Sequence, residues 1–193
     1  MDVPVSLLTL RLPHGYRRGM TDAHRPSSEH LDAAALPPRA RAVVAALRAA
    51  GAEGEVREFD ESTHTAAQAA AALGCDVGAI ASSLVFRTGD EALLVLTSGA
   101  HRVDTDLVAS TLGHGPIMRA NADQVKRATG QVIGGVAPVG HPSPVRTLVD
   151  TALRAHDVLW ASAGTADTVF ATTFDELVRV TGGTPVRVAA DDL

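Results

Sequence analysis

Two strand-like runs, SLVFR (83–87) and ALLVL (92–96), flank Thr88-Gly89-Asp90-Glu91, and this hairpin signal constrains the fold more than any other feature of the chain. It commits two neighbouring segments to antiparallel pairing, so the rest of the sheet must be built around them. Short, clearly bounded elements lie on both sides. PPRARAVVAALRAAG sets Val43, Val44 and Leu47 at helical spacing, with Pro near its start and Gly51 at its end. EVREF (55–59) alternates like a strand. Thr65 and Gln68 form a capping-box pattern ahead of AAQAAAAL, which Gly74 closes. Asp104 caps a helix running to Leu112 and ended by Gly113, and Asn121 caps another ended by Gly130. Strands follow near 145–149, 157–162 and 168–171. Thr173 and Glu176 then box FDELVRVTGG, and PVRVAA (185–190) reads as a final strand. Hairpin signals outnumber strand–helix–strand crossovers. The expected class is therefore α+β: one compact domain with a mixed, largely antiparallel sheet flanked by helices.

A length of 193 residues suits one domain. Residues 1–35 mix Pro, His, Ser and Arg without periodicity, which predicts a disordered or loosely packed tail ahead of a domain at 36–193. Met20, inside that tail, offers an alternative start. Hydrophobic residues make up 46% and aromatics 3%, so the core must be assembled from Ala, Val and Leu. No apolar run reaches the roughly 18 residues that cross a bilayer, and the acidic-first N-terminus does not read as a signal peptide. The expected location is cytoplasmic. The single cysteine, Cys75, excludes an internal disulfide and a multi-Cys zinc site. A net charge of −5 argues against an extended surface for a phosphate backbone, so any nucleic-acid contact must be local.

Chemistry concentrates in ATGQVIGGVAPVGH (128–141). Glycines let a ligand approach the main chain, and Pro138 fixes the loop's shape. Such a loop can aim N–H groups at a carbonyl oxygen and stabilise an oxyanion, although an ordinary glycine-rich turn has the same composition. The stretches AAQAAAALGCDVGAIASSLVF, LVLTSGAHRVD, RATGQVIGGVAPVGH, RTLVD, VLWASAG and FDELVRVTGG, in this order, resemble the YbaK/prolyl-tRNA synthetase-associated editing-domain family from about Asp60 to Val188. The Gly-Gly-x-x-Pro-x-Gly-His piece is the most specific of them.

The resemblance implies an α/β domain around a mixed sheet. It also implies hydrolysis, in trans, of the ester joining a small wrong amino acid (Cys or Ala) to tRNA, typically tRNA for proline. The implied partners are mischarged tRNA and prolyl-tRNA synthetase, with no DNA or membrane. It gives Gly134, Gly135 and Pro138 backbone contacts to the aminoacyl carbonyl and terminal adenosine. Ser162 and Gly164 should line the same cleft, with Gly140 and His141 completing the motif and His64 on the pocket side. One position departs from the pattern. Ile80-Ala81-Ser82-Ser83-Leu84 has Ser82 where the family carries Lys. Losing that charge costs about 2–4 kcal/mol at the transition state. Arg87, Arg102 and Lys126 are candidate substitutes, each also readable as a solvated surface charge.

Eight histidines show no HxxxH or HExxH spacing, so neither a metal site nor a cofactor is expected. His141 can hold the glycine loop or act as acid or base. Cys75 reads as a small packer, and Asp150 can orient the site or begin a turn. The expected chemistry is a backbone-based deacylase. The reading from a different class is a module that binds tRNA ends, nucleotides or a synthetase, the catalytic charge having been lost at Ser82.

Overall fold

The computed structural model describes residues 36–60, 63, 65–113 and 115–190, so the predicted N-terminal tail lies outside the described residues. Five short helices form among the described residues where the sequence predicts them: α1 (Pro38–Ala49), α2 (Ala66–Leu73), α3 (Thr105–Leu112), α4 (Ala122–Thr129) and α5 (Phe174–Thr181). Thr65–Gln68 and Asn121–Gln124 are complete capping boxes, with side chain and backbone bonded in both directions. The Asp104 carboxylate accepts the N–H groups of Asp106 and Leu107, both at 3.0 Å. Left-handed glycines (Gly74, Gly113, Gly130 and Gly182) stop the last four helices.

The box expected at Thr173–Glu176 is only half formed. Thr173 accepts the Glu176 N–H at 3.2 Å. The Glu176 carboxylate turns away to the Thr172 hydroxyl at 2.7 Å and the Glu53 N–H at 3.3 Å. A tertiary partner has displaced the local one. Arg179 of the same helix donates to the carbonyls of Ala50 (2.6 Å) and Gly51 (3.0 Å), satisfying the end of α1.

The strands are β1 (Val56–Glu58), β2 (Ile80–Thr88), β3 (Glu91–Ser98), β4 (Ile117–Arg119), β5 (Arg146–Asp150), β6 (Leu159–Ser162), β7 (Thr168–Thr172) and β8 (Thr184–Val186). They form one sheet in the order β1-β7-β6-β2-β3-β5-β8, with β4 paired to β2 off that path. Four of the pairings are antiparallel and three parallel, the mixed sheet expected. The β2–β3 hairpin runs further than its apolar cores, in register from Ala81↔Ser98 to Thr88↔Glu91. The last strand is shorter than expected. Beyond Val186 the chain leaves the ladder: the Val188 carbonyl accepts the Asp104 N–H at 2.7 Å, and the Arg187 side chain folds back to the Ala189 carbonyl.

β3 is central, and Leu93, Leu94, Val95 and Leu96 are all fully buried, so both faces of the sheet are covered. On one face Leu94 and Leu96 pack with Val43 and Leu47 of α1 and Leu177 of α5. On the other, Leu93 and Val95 pack with Val108 of α3. A third cluster places Ala69 and Ala70 of α2 against Ile80, Trp160 and Val169.

The edge of β2 opposite β3 is divided. Ile80 and Ala81 pair with β6, and residues 86–88 pair with β4. The Val85 carbonyl accepts the Ala120 N–H at 3.0 Å. Among the described residues, no strand lies beside Ser82, Ser83 and Leu84 on that edge, and the sheet is open there.

Candidate functional site

The opening in the sheet is the mouth of a cavity of about 330 Å³. Ser82, Ser83 and Leu84 of β2 form one wall, Arg119 of β4 another, and Ile133 and Gly134 the lip. Ser162 and the turn after it close the far side, with α2 beneath.

Residues 130–141 make the lip as a loop held from inside. Gln131 is 2% exposed and spans the loop. Its Oε1 accepts the Ala137 N–H at 2.5 Å, and its Nε2 donates to the Val139 carbonyl at 3.2 Å. Thr129 anchors the start by donating to the Val125 carbonyl (2.8 Å) and accepting the Gln131 N–H (3.1 Å). His141 Nε2 donates to the Ala137 carbonyl at 3.0 Å, so this histidine holds the loop. Burial lowers its pKa and so favours the neutral ring, while the hydrogen bond to the Ala137 carbonyl acts in the opposite direction.

Two glycines have structural reasons. Gly134 has φ +92°, a conformation that side chains disfavour, with open space where a Cβ would stand. Gly135 is buried, and a Cβ there would lie 2.9 Å from the Thr165 Cα, so the loop packs backbone to backbone on the turn after β6. The Gly135 N–H donates to the Val132 carbonyl at 3.0 Å. The amides of Gly134 and Val136 donate to no acceptor among the described residues, and both residues line the cavity.

The opposing turn is shaped by hydroxyls. Ser162 Oγ donates to the Thr165 carbonyl and accepts the Gly164 N–H, both at 3.2 Å. Thr165 Oγ1 donates to Asp167 and lies 2.6 Å from Thr168 Oγ1.

The expected site residues therefore divide. Ser82, Gly134 and Ser162 stand in the cavity wall. Gly135 and Pro138 are buried behind the lip, and Gly140 and Gly164 pack against Val43 of α1. His141 braces the loop, and His64 lies outside the described residues. Arg87, Arg102 and Lys126 are not in the wall. Arg87 bonds instead to the Gly89 carbonyl (3.4 Å) and Met118 Sδ (3.2 Å). Asp150 caps the 3₁₀ turn that follows β5, away from the cavity. Cys75 is free and packs on the third cluster, where burial and then Asp76 push its thiol up.

Four residues escaped the sequence reading. Gln131 sits inside the motif and could have been found there. Val136 supplies an amide, which no side-chain pattern reports. Ser83 Oγ is buried without a hydrogen-bond partner among the described residues. Arg119 is the one charged residue in the wall among the described residues, and no local signal marks it. No group of three His, Cys, Asp or Glu side chains converges among the described residues. Among the described residues, free amides, one guanidinium and no carboxylate line the cavity, a set that suits a ligand with a carbonyl and negative charge.

A family model described as the aminoacyl-tRNA editing domain matches residues 60–180. The uncharacterized protein YwhH of Bacillus subtilis (strain 168) is 31% identical over 126 residues, covering 65% of this chain and 80% of its own. The proline–tRNA ligase of Bacillus licheniformis is 31% identical over 122 residues, 61% of this chain and only 21% of the ligase. A crystal structure of a candidate trans-editing enzyme for prolyl tRNA synthetase superposes with a TM-score of 0.77 at 38% identity, covering 81% of this chain and all of the other.

Proposed function

The chain belongs to the aminoacyl-tRNA editing domain family, and on that premise we propose that it is an aminoacyl-tRNA deacylase acting in trans on a mischarged small amino acid. The substrate class is Cys or Ala on tRNA for proline, released by prolyl-tRNA synthetase in the cytoplasm. The observation that carries this reading is the pair of unpartnered amides, Gly134 and Val136, at the lip of a small cavity.

Water attacks the ester carbonyl, and the carbonyl oxygen becomes an oxyanion that the two amides stabilise. The 3′ or 2′ oxygen of the terminal adenosine leaves with a proton, giving free amino acid and free tRNA. Preorganised donors of this kind contribute roughly 10²–10³ in rate. Gly135, Pro138, Gly140, His141 and Gly164 act as the frame that fixes the amides, while Ser82 and Ser162 face the substrate. Cavity size supplies the sieve, because one methylene is worth only about 1–3 kcal/mol to a synthetase and small amino acids escape its own selection.

The test is single-turnover deacylation of tRNA for proline charged with Cys, Ala or Ser. Hydrolysis of at least one above the protein-free rate is expected, with a loss of about 10²-fold in Gly135→Ala, whose Cβ displaces the lip from Thr165. Undiminished hydrolysis in Gly135→Ala would refute the backbone mechanism. The uncharged Ser82 favours a second reading, a module that binds the tRNA end without cleaving it. Binding without hydrolysis of any of the three substrates, unrelieved by Ser82→Lys, would select it.

A further inference from the structure

Among the described residues the wall of the cavity holds one charge, and strand register fixes where that charge projects. Arg119 pairs directly with Phe86 across the β2–β4 ladder. Directly opposed residues point to the same face of a sheet, and alternate residues of one strand share a face. Phe86, Leu84 and Ser82 therefore lie on the face from which Arg119 also projects. Ser82 supplies no charge on that face; Arg119 supplies one from the neighbouring strand. Its side chain is exposed, and its guanidinium makes no ion pair or hydrogen bond with another described residue.

The two positions are not equivalent. Ser82 and Phe86 lie four residue steps apart along the strand, about 13 Å. The guanidinium thus stands at the β4 end of the mouth, in contact with solvent, while the unpartnered amides of the loop occupy the lip. A solvated, planar, two-pronged donor at the rim suits an anion that stays hydrated, which is the chemistry of a phosphodiester. The oxyanion of ester hydrolysis forms inside, next to the amides.

We propose that Arg119 is the phosphate anchor of this site, taking the phosphodiester that precedes the terminal adenosine and so seating the aminoacyl group at the amides. The proposal rests on the deacylase reading for the identity of the ligand. A local anchor of this kind is compatible with a chain of net charge −5.

The experiment compares the wild-type chain with Arg119→Ala and Arg119→Lys over a series of salt concentrations. Single-turnover deacylation gives the half-saturating enzyme concentration and the maximal rate, and fluorescence anisotropy gives binding of uncharged tRNA. Arg119→Ala should raise the half-saturating concentration about tenfold, as losing a charged hydrogen bond would. The half-saturating concentration should change more than the maximal rate. The slope of log K against log salt should fall by about 0.7, the value for one phosphate on a single strand. Arg119→Lys should keep the slope. An unchanged slope in Arg119→Ala overturns the proposal, and so does a lost maximal rate at unchanged half-saturation, which would put the residue at the ester instead. If the wild-type chain hydrolyses no charged tRNA, the deacylase reading fails by itself. The anisotropy slopes of wild type and Arg119→Ala then still decide the anchor, equal slopes sinking it.

Discussion

Ser83 and Ser162 are both serines of the cavity wall, and their hydroxyls have opposite circumstances. Ser162 both donates and accepts within the turn after β6. Ser83 Oγ is buried with no partner among the described residues. A buried hydroxyl without a partner costs about 1–3 kcal/mol, and removing it removes that penalty. Ser83→Ala is therefore expected to raise the unfolding free energy by about 1 kcal/mol in urea titration. A loss of stability instead would show that the folded protein does satisfy this hydroxyl. The same contrast separates Ser82 from Arg119: Ser82 brings no charge to the cavity wall, and the charge found there among the described residues stands on a strand that no motif marks.

At the scale of elements, the glycine loop owes its shape to three clasps: Thr129 at its start, Gln131 across its middle and His141 at its end. Only the last titrates near neutrality. Burial lowers the folded pKa of His141 below its ordinary value of about 6.5, so the unfolded chain takes up the proton first. The contribution of the neutral ring is complete above about pH 6.5 and is lost as pH falls through that value toward the depressed folded pKa. His141→Gln keeps an N–H donor and removes the titration. The stability gap between wild type and His141→Gln, measured in urea, should be wider at pH 7 than at pH 5. A gap that does not change with pH would show that the ring titrates alike in both states.

At the scale of the molecule, Asp150 joins parts of the sheet that are distant in sequence. It is 1% exposed at the end of β5. One carboxylate oxygen accepts the Ser98 N–H (3.0 Å) and the Thr97 hydroxyl (3.2 Å) and lies 2.9 Å from His101 Nδ1. The other accepts the Ala152 N–H at 3.1 Å. These bonds lock the ends of β3 and β5 together and turn the chain toward β6, which borders the cavity. Asp150→Ala would strand buried donors and should destabilise the fold by about 3 kcal/mol, seen as a lower Tm. An unchanged Tm would mean that water or rearrangement satisfies those donors. Of the two roles open to Asp150 in the sequence, the structure gives it the turn and extends it to the strands.

The sequence by itself determined the local elements and the motif. Thr65–Gln68, Asp104 and Asn121 cap helices because a cap is a contract between residues three apart, and the hairpin at 88–91 needs only its own turn. The glycine loop was legible because glycine and proline act through their own backbone. The tertiary structure decided everything that depends on which strand lies beside which. Glu176 left its local box for Thr172, the last strand stopped at Val186, and β4 exists only because β2 offers it an edge. The open stretch at Ser82–Leu84, the cavity behind it and the placement of Arg119 in its wall follow from that division of one strand's edge. Strand pairing joins residues far apart in sequence through burial and hydrogen bonds of the whole sheet, and no short window of residues encodes it.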